Sequence, residues 1–155
     1  MVISGSKVKS VKEVLFTLHL MQLKKSIKIL YHKSMKKILI IEDEKNIILL
    51  LKMFLEHNSF EVFTAGNGFD GIKIAQESNP DLILLDIVLP GINGYLVCKN
   101  LKEDEKTKGI PIIVISARTS KDDIEKIFSF GAQDYIAKPF SLPQIKKSIL
   151  KYLQE

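Results

Sequence analysis

The stretch Asp81-Leu82-Ile83-Leu84-Leu85-Asp86-Ile87-Val88-Leu89-Pro90-Gly91-Ile92-Asn93-Gly94 decides how this chain folds. Leu82 to Leu85 are continuously apolar, which suits a strand covered on both faces in a parallel sheet rather than one with a wet face. The run stops on an acid, Asp86, and proline and glycine follow within five residues. The pattern predicts a buried strand whose C-terminal end carries a carboxylate into a loop.

Working outward, four more short runs have the same character. They are Ile38 to Ile41, Phe60 to Phe63, Ile112 to Ile115 and Tyr135 to Ala137. The first and third of these are continuously apolar and rich in β-branched residues. The Phe60 run mixes polar with apolar residues and the Tyr135 run is short, so both are predicted as edge strands. Helical spacing fills the gaps: Ile47, Ile48, Leu51, Phe54 and Leu55 form one stripe, and Ile124, Ile127 and Phe128 another. Ser141 and Gln144 make a capping box with Pro143 in the first turn, opening a last helix that buries Leu142, Ile145, Ile149 and Leu153. Five strands alternating with five helices predict an α/β class, doubly wound and parallel, with right-handed crossovers.

The chain has 155 residues, 46% hydrophobic and 26% charged. That is too apolar for disorder throughout, and long enough for one domain with an appendage. No run of about eighteen apolar residues exists to span a membrane. Cys98 is the only cysteine. This excludes a disulfide scaffold and fits a reducing compartment; cytoplasmic localisation is expected. Cys98 lies among Leu96, Val97 and Leu101 on a helical pattern, as a small core residue would. The net charge of +5 is uneven, since residues 1–34 hold seven lysines and one acid, for +6, leaving −1 for the rest. The basic balance therefore gives no reason to expect nucleic-acid binding by the main body.

Polar residues collect where the strands end, which is where open parallel sheets place their sites. The first strand runs into Glu42-Asp43-Glu44, the third into Asp86, the fourth into Ser116 and the fifth into Lys138-Pro139. Any one of these alone reads as a solvated acid or a helix cap. Together they deliver Asp, Ser and Lys to one edge beside an acidic pair.

Residues 35–155 resemble the receiver domain of two-component response regulators along their whole length. Four segments carry the resemblance in family order and spacing: Lys37 to Glu44, Asp81 to Gly94, Pro111 to Ala117 and Gly131 to Phe140. The resemblance implies strand order 2-1-3-4-5, a flavodoxin-like receiver fold, with the first and third strands flanking the switch point. It also implies that Asp86 is the phosphoacceptor and that Mg²⁺ is held by Asp43, Asp86 and the backbone carbonyl of Val88, with Glu42 acting directly or through water. A carboxylate can attack a phosphoryl group to form an acyl phosphate, and crowded carboxylates are costly unless a cation joins them. Mg²⁺ suits a few carboxylate oxygens and relieves charge on a phosphoryl group in transfer.

By the same resemblance Lys138 pairs with a phosphoryl oxygen, the peptide before Pro139 is cis, and Ser116 donates its hydroxyl. Tyr135 is then the aromatic switch, reshaping the face formed by the body's fourth helix, fifth strand and fifth helix. The implied partners are a sensor histidine kinase or a histidine phosphotransfer protein upstream and a target protein downstream. The chain ends with the fifth helix, so a single-domain regulator without a helix-turn-helix is expected, with no direct DNA binding. Two details depart from the commonest pattern. The acidic pair is Glu-Asp, and Gly91 after Pro90 is expected to loosen that loop. The family's positions that influence loss of the phosphoryl group, two after the phosphoacceptor and two after the hydroxyl residue, hold Val88 and Arg118. Neither can accept a proton from water.

Residues 1–34 match nothing in that family. Ser10 and Glu13 are spaced as a capping box opening a helix in which Val11, Val14, Leu15, Leu18 and Gln22 share a face. A basic amphipathic helix for a membrane or partner, a poorly ordered tail, and an extension upstream of a natural start at Met35 all remain open. Two other functions compete for the body. A hydrolase or phosphotransferase using Asp86 needs a substrate pocket and a cap, and the connections are short. A flavin-binding module needs a phosphate-cradling loop after the first strand, where Glu42-Asp43-Glu44 stand instead.

Overall fold

A computed structural model describes residues 8–153; Lys7 and the outermost residues of the two expected domains lie outside them. The chain divides into two compact units between Met35 and Lys36.

The larger unit alternates strand and helix: β1 (Lys37–Ile41), α2 (Lys45–His57), β2 (Glu61–Ala65), α3 (Gly68–Ser78), β3 (Leu82–Asp86), α4 (Gly94–Glu103), β4 (Ile112–Ser116), α5 (Lys121–Ser129), β5 (Asp134–Ala137) and α6 (Leu142–Leu153). Every strand pair is parallel, in the order β2-β1-β3-β4-β5, the order the resemblance implied. The mixed run and the short run are the two edges. In β3 and β4 all ten residues are buried. Their alternate side chains feed two cores, one on each face of the sheet. Leu39, Ile41, Ile83, Leu85 and Val114 pack with α3, α4 and α5, while Ile38, Ile40, Leu84 and Ile113 pack with α2 and α6. Each such side chain contributes roughly 1.5–3 kcal/mol through burial, which is why these runs dominate the fold.

The helix stripes behave as their spacing predicts at Leu51, Leu55, Ile127, Ile145 and Ile149, all buried. Phe128 is an exception: it is exposed, and Phe130, just past the end of α5, turns inward against Tyr95 with ring centroids 5.8 Å apart. Cys98 is buried, its thiol pushed up to about 11 by desolvation, as suits a packing residue. Gly91 has φ +81°, a left-handed conformation that other residues adopt only with strain, so the turn after Pro90 favours glycine there.

The smaller unit holds α1 (Val11–Ser34), which makes six helices among the described residues against the five of the body. Ser10 caps it: its hydroxyl accepts from the Glu13 N–H at 3.3 Å, and the Glu13 carboxylate accepts from the Ser10 N–H at 2.9 Å. The expected face of Val11, Val14, Leu15 and Leu18 is exposed, and so are Phe16, Leu20, Leu23 and Ile27 on the opposite side. The helix therefore carries two apolar faces rather than one stripe. Among the described residues, no helix is long and apolar enough to cross a membrane.

Candidate functional site

The C-terminal ends of β1, β3 and β5 converge on one open cleft, lined by Glu42, Asp43, Glu44, Asp86, Val88, Ala117 and Lys138. Parallel pairing fixes this. Ile41 lies beside Leu85, and Ser116 beside Ala137, so the residues that follow each strand emerge together. The strands end here because their apolar runs end here.

Three carboxylates meet in the cleft. Oxygens of Glu42, Asp43 and Asp86 lie within 4.8 Å of one another. Glu42 and Asp86 are buried, at 3% and 5% exposure, whereas Asp43 is exposed. Lys138 reaches between the buried pair, its Nζ 2.8 Å from Glu42 Oε2 and 2.7 Å from Asp86 Oδ2. The remaining oxygens are held by backbone: Glu42 Oε1 accepts from the Glu44 N–H and Asp86 Oδ1 from the Val88 N–H. Each buried carboxylate is thus oriented by one cation and one amide. The Lys138–Pro139 peptide is cis.

Charge in this cleft is not balanced. Burial raises the Glu42 carboxyl above the usual range, although hydrogen bonds from Lys138 and the Glu44 N–H oppose the shift. Burial alone would lower the Lys138 ammonium, yet its hydrogen bonds to Asp86 and Glu42 raise it, so it stays charged. One ammonium facing three carboxylates leaves two negative charges uncompensated. Hard oxygen donors at this spacing fit Mg²⁺, which needs only one or two protein carboxylates and keeps its waters. The donor set fits the ion.

Ser116 is fully buried at the end of β4. Its Oγ accepts from the Arg118 N–H at 3.1 Å, which leaves its O–H available to donate. Tyr135 on β5 is half-buried, and its hydroxyl donates to the Arg118 carbonyl at 2.9 Å. Val88 lines the cleft and is 52% exposed, with no polar side-chain atom to offer. The Arg118 guanidinium lies 3.8 Å from Asp123, on α5.

Two contributors escaped the sequence reading. Gly94 packs so tightly after Asp86 that a Cβ there would lie 2.6 Å from the Asp86 carbonyl oxygen and 2.5 Å from Ile87 Cα. The glycine lets α4 start directly against the acid-bearing loop. Tyr95 donates its hydroxyl to Asp123 at 2.9 Å, across 28 residues of sequence. No spacing signal joins two residues on different helices.

The sequence pattern of the response regulator receiver domain matches residues 38–150. Polar-differentiation response regulators named DivK, from Brucella anthropi and Brucella abortus, are 37% identical over 118 residues, covering 76% of this chain and 96% of theirs. Among solved structures, the chemotaxis response regulator CheY4 of Vibrio cholerae is 26% identical with a TM-score of 0.74, over 77% of this chain and all of that one. The receiver domain of a Pseudomonas aeruginosa sensor histidine kinase, 25% identical with a TM-score of 0.71, covers 77% of this chain and 98% of its own. It holds a magnesium ion in its active site cleft.

Proposed function

The chain belongs to the response regulator receiver domain family, and from that premise we propose that it accepts a phosphoryl group on Asp86 from a sensor histidine kinase or histidine phosphotransfer protein. The function resides in residues 35–155. The observation that carries the reading is the cleft itself: three carboxylates within 4.8 Å at the strand ends, with the Lys138 ammonium 2.7 Å from the buried Asp86.

Asp86 attacks phosphorus through a carboxylate oxygen, an acyl phosphate bond forms, and the P–N bond to the donor imidazole breaks with its electron pair returning to nitrogen. Glu42, Asp43, Asp86 and the Val88 carbonyl would hold Mg²⁺, which neutralises charge on the phosphoryl oxygens. Lys138, already between Glu42 and Asp86, turns one ammonium proton to a phosphoryl oxygen, and Ser116 donates its hydroxyl to another. Tyr135 follows the Arg118 carbonyl as the loop after β4 adjusts, altering the face of α5, β5 and α6 that a target protein reads. Receivers are signalling modules, and the proposed chemistry at Asp86 is limited to self-phosphorylation and its reversal, in the cytoplasm. Direct DNA binding is not part of the proposal. Neither is membrane contact by residues 1–34, because a helix lying in a membrane surface presents one apolar face and α1 has two.

The test is incubation with Mg²⁺ and acetyl phosphate, followed by intact-mass measurement and peptide mapping. One phosphoryl group on the peptide bearing Asp86 is expected. No gain in mass, or a gain mapped elsewhere, overturns the reading.

A second expectation concerns how long the phosphoryl group stays. Val88 has no polar side-chain atom, and the Arg118 guanidinium is drawn to Asp123, so neither orients an attacking water. Slow self-dephosphorylation follows. Val88→Asn combined with Arg118→Glu is expected to speed decay about tenfold, a change of about 1.4 kcal/mol in barrier. Decay is followed after donor removal, so the phosphorylation rate does not enter. A double variant that decays no faster sinks this account.

A further inference from the structure

We infer that Tyr95 and Asp123 are positioning residues for phosphoryl transfer, tethering α4 to α5 so that the loop after β4 holds Ser116 ready to donate. The inference rests on the proposed phosphorylation of Asp86.

The tether runs through contacts of this structure. Tyr95 stands in the first turn of α4 and is 4% exposed. Its ring packs on Phe130, with the Lys126 ammonium 4.4 Å from the ring centroid. Its hydroxyl donates to Asp123 Oδ1 at 2.9 Å. Asp123 Oδ2 accepts from the Ser120 hydroxyl at 2.6 Å, and the Ser120 oxygen accepts in turn from the Asp123 N–H. The Arg118 guanidinium completes the cluster 3.8 Å from Asp123 Oδ1. The hydrogen bonds from Ser120 and Tyr95 hold the Asp123 carboxyl below the usual range, so it is ionised at neutral pH.

Arg118 links this cluster to Ser116. Its backbone N–H bonds to Ser116 Oγ, and its carbonyl accepts from Tyr135. With one Ser116 lone pair engaged by that amide, the hydroxyl has a preferred rotamer and its proton is free for a phosphoryl oxygen. A donor fixed before the reaction needs no reorganisation during it. The loop is therefore pinned from α4, α5 and β5 at once. Releasing the α4 anchor lets Arg118, and with it Ser116, sample other arrangements.

The experiment measures initial rates of acetyl-phosphate-dependent phosphorylation in Mg²⁺, on the full chain, with melting temperature recorded alongside. Tyr95→Phe keeps the ring on Phe130 and removes only the hydroxyl. It is expected to slow phosphorylation about fivefold, the effect of one hydrogen bond of about 1 kcal/mol. Asp123→Asn should slow it comparably. The two together should be no slower than the worse single change, because both cut one tether. The Tyr95→Phe penalty should vanish when Ser116 is already Ala. An unchanged or faster rate in Tyr95→Phe overturns the inference, as does the same fivefold loss in the Ser116→Ala background. So does a lowered melting temperature with no change in rate, which marks a merely structural contact. If the unaltered chain takes no phosphoryl group, the proposed function itself falls; if it does and the variants match it, only the tether falls.

Discussion

Asp86→Asn is expected to abolish phosphorylation by acetyl phosphate while leaving the protein folded. The amide matches the carboxylate in shape, and its oxygen can still accept the Val88 N–H that Asp86 Oδ1 now accepts. Lys138 keeps Glu42 as its partner at 2.8 Å, so no buried cation is stranded. What is lost is the nucleophile. A neutral amide does not form a stable acyl phosphate, and the rate should fall by at least about 10³-fold, more than 4 kcal/mol in barrier. Stability should change little. The substitution removes one buried negative charge from a cleft of three carboxylates and one ammonium, but it also turns an amide NH₂ donor toward the Lys138 ammonium from which Asp86 Oδ2 now accepts. Without Mg²⁺ the variant should melt close to its parent. Intact mass and thermal melts read both effects on one sample. Residual phosphorylation above a thousandth of the parent rate would show that Asp43 or Glu42 accepts the group instead.

Some parts of the molecule leave a trace in one dimension and others do not. The runs at 38–41, 82–85 and 112–115 are buried on both faces, so apolar composition alone announces them. Phe60 to Phe63 and Tyr135 to Ala137 lie on strands covered less completely at the edges, and their mixed or short runs say so. The cleft residues were legible for a related reason. In a parallel sheet every strand ends at the same rim, so the polar residue after each apolar run marks a position in space as well as in sequence. Contacts between helices leave no such trace. Tyr95 and Asp123 stand 28 residues apart and meet only because the topology places α4 and α5 over the same core. Phe128 has the spacing of a core residue but is exposed, and Phe130, just past the end of α5, packs on Tyr95 instead. The two-sided apolar character of α1 was open to inspection at Phe16, Leu20, Leu23 and Ile27.

Mg²⁺ is expected to raise the melting temperature of the protein, and Asp43→Ala to cancel that rise. Binding to the folded state alone stabilises by mass action, about 2.7 kcal/mol at a hundred times the dissociation constant. For a domain of this size that amounts to a shift on the order of 10 °C. Asp43 is the informative residue because of its position. Glu42 and Asp86 are buried and bonded to Lys138, so changing either disturbs the cleft with or without metal. Asp43 is exposed, and its replacement should leave metal-free stability unchanged or slightly higher, since one repelling charge is gone. The sign of the pH dependence follows from Glu42. Its carboxyl is raised by burial, so the folded state favours its protonated form, and metal-free stability falls as pH rises from its unfolded value through its folded one. A metal needs the same group ionised, so the Mg²⁺-induced shift grows across that window and fades below it. Ionic strength must be held constant, because added salt screens the same carboxylates without binding them. An equal Mg²⁺ shift in parent and Asp43→Ala would place the ion elsewhere, and would remove Asp43 from the chemistry of Asp86.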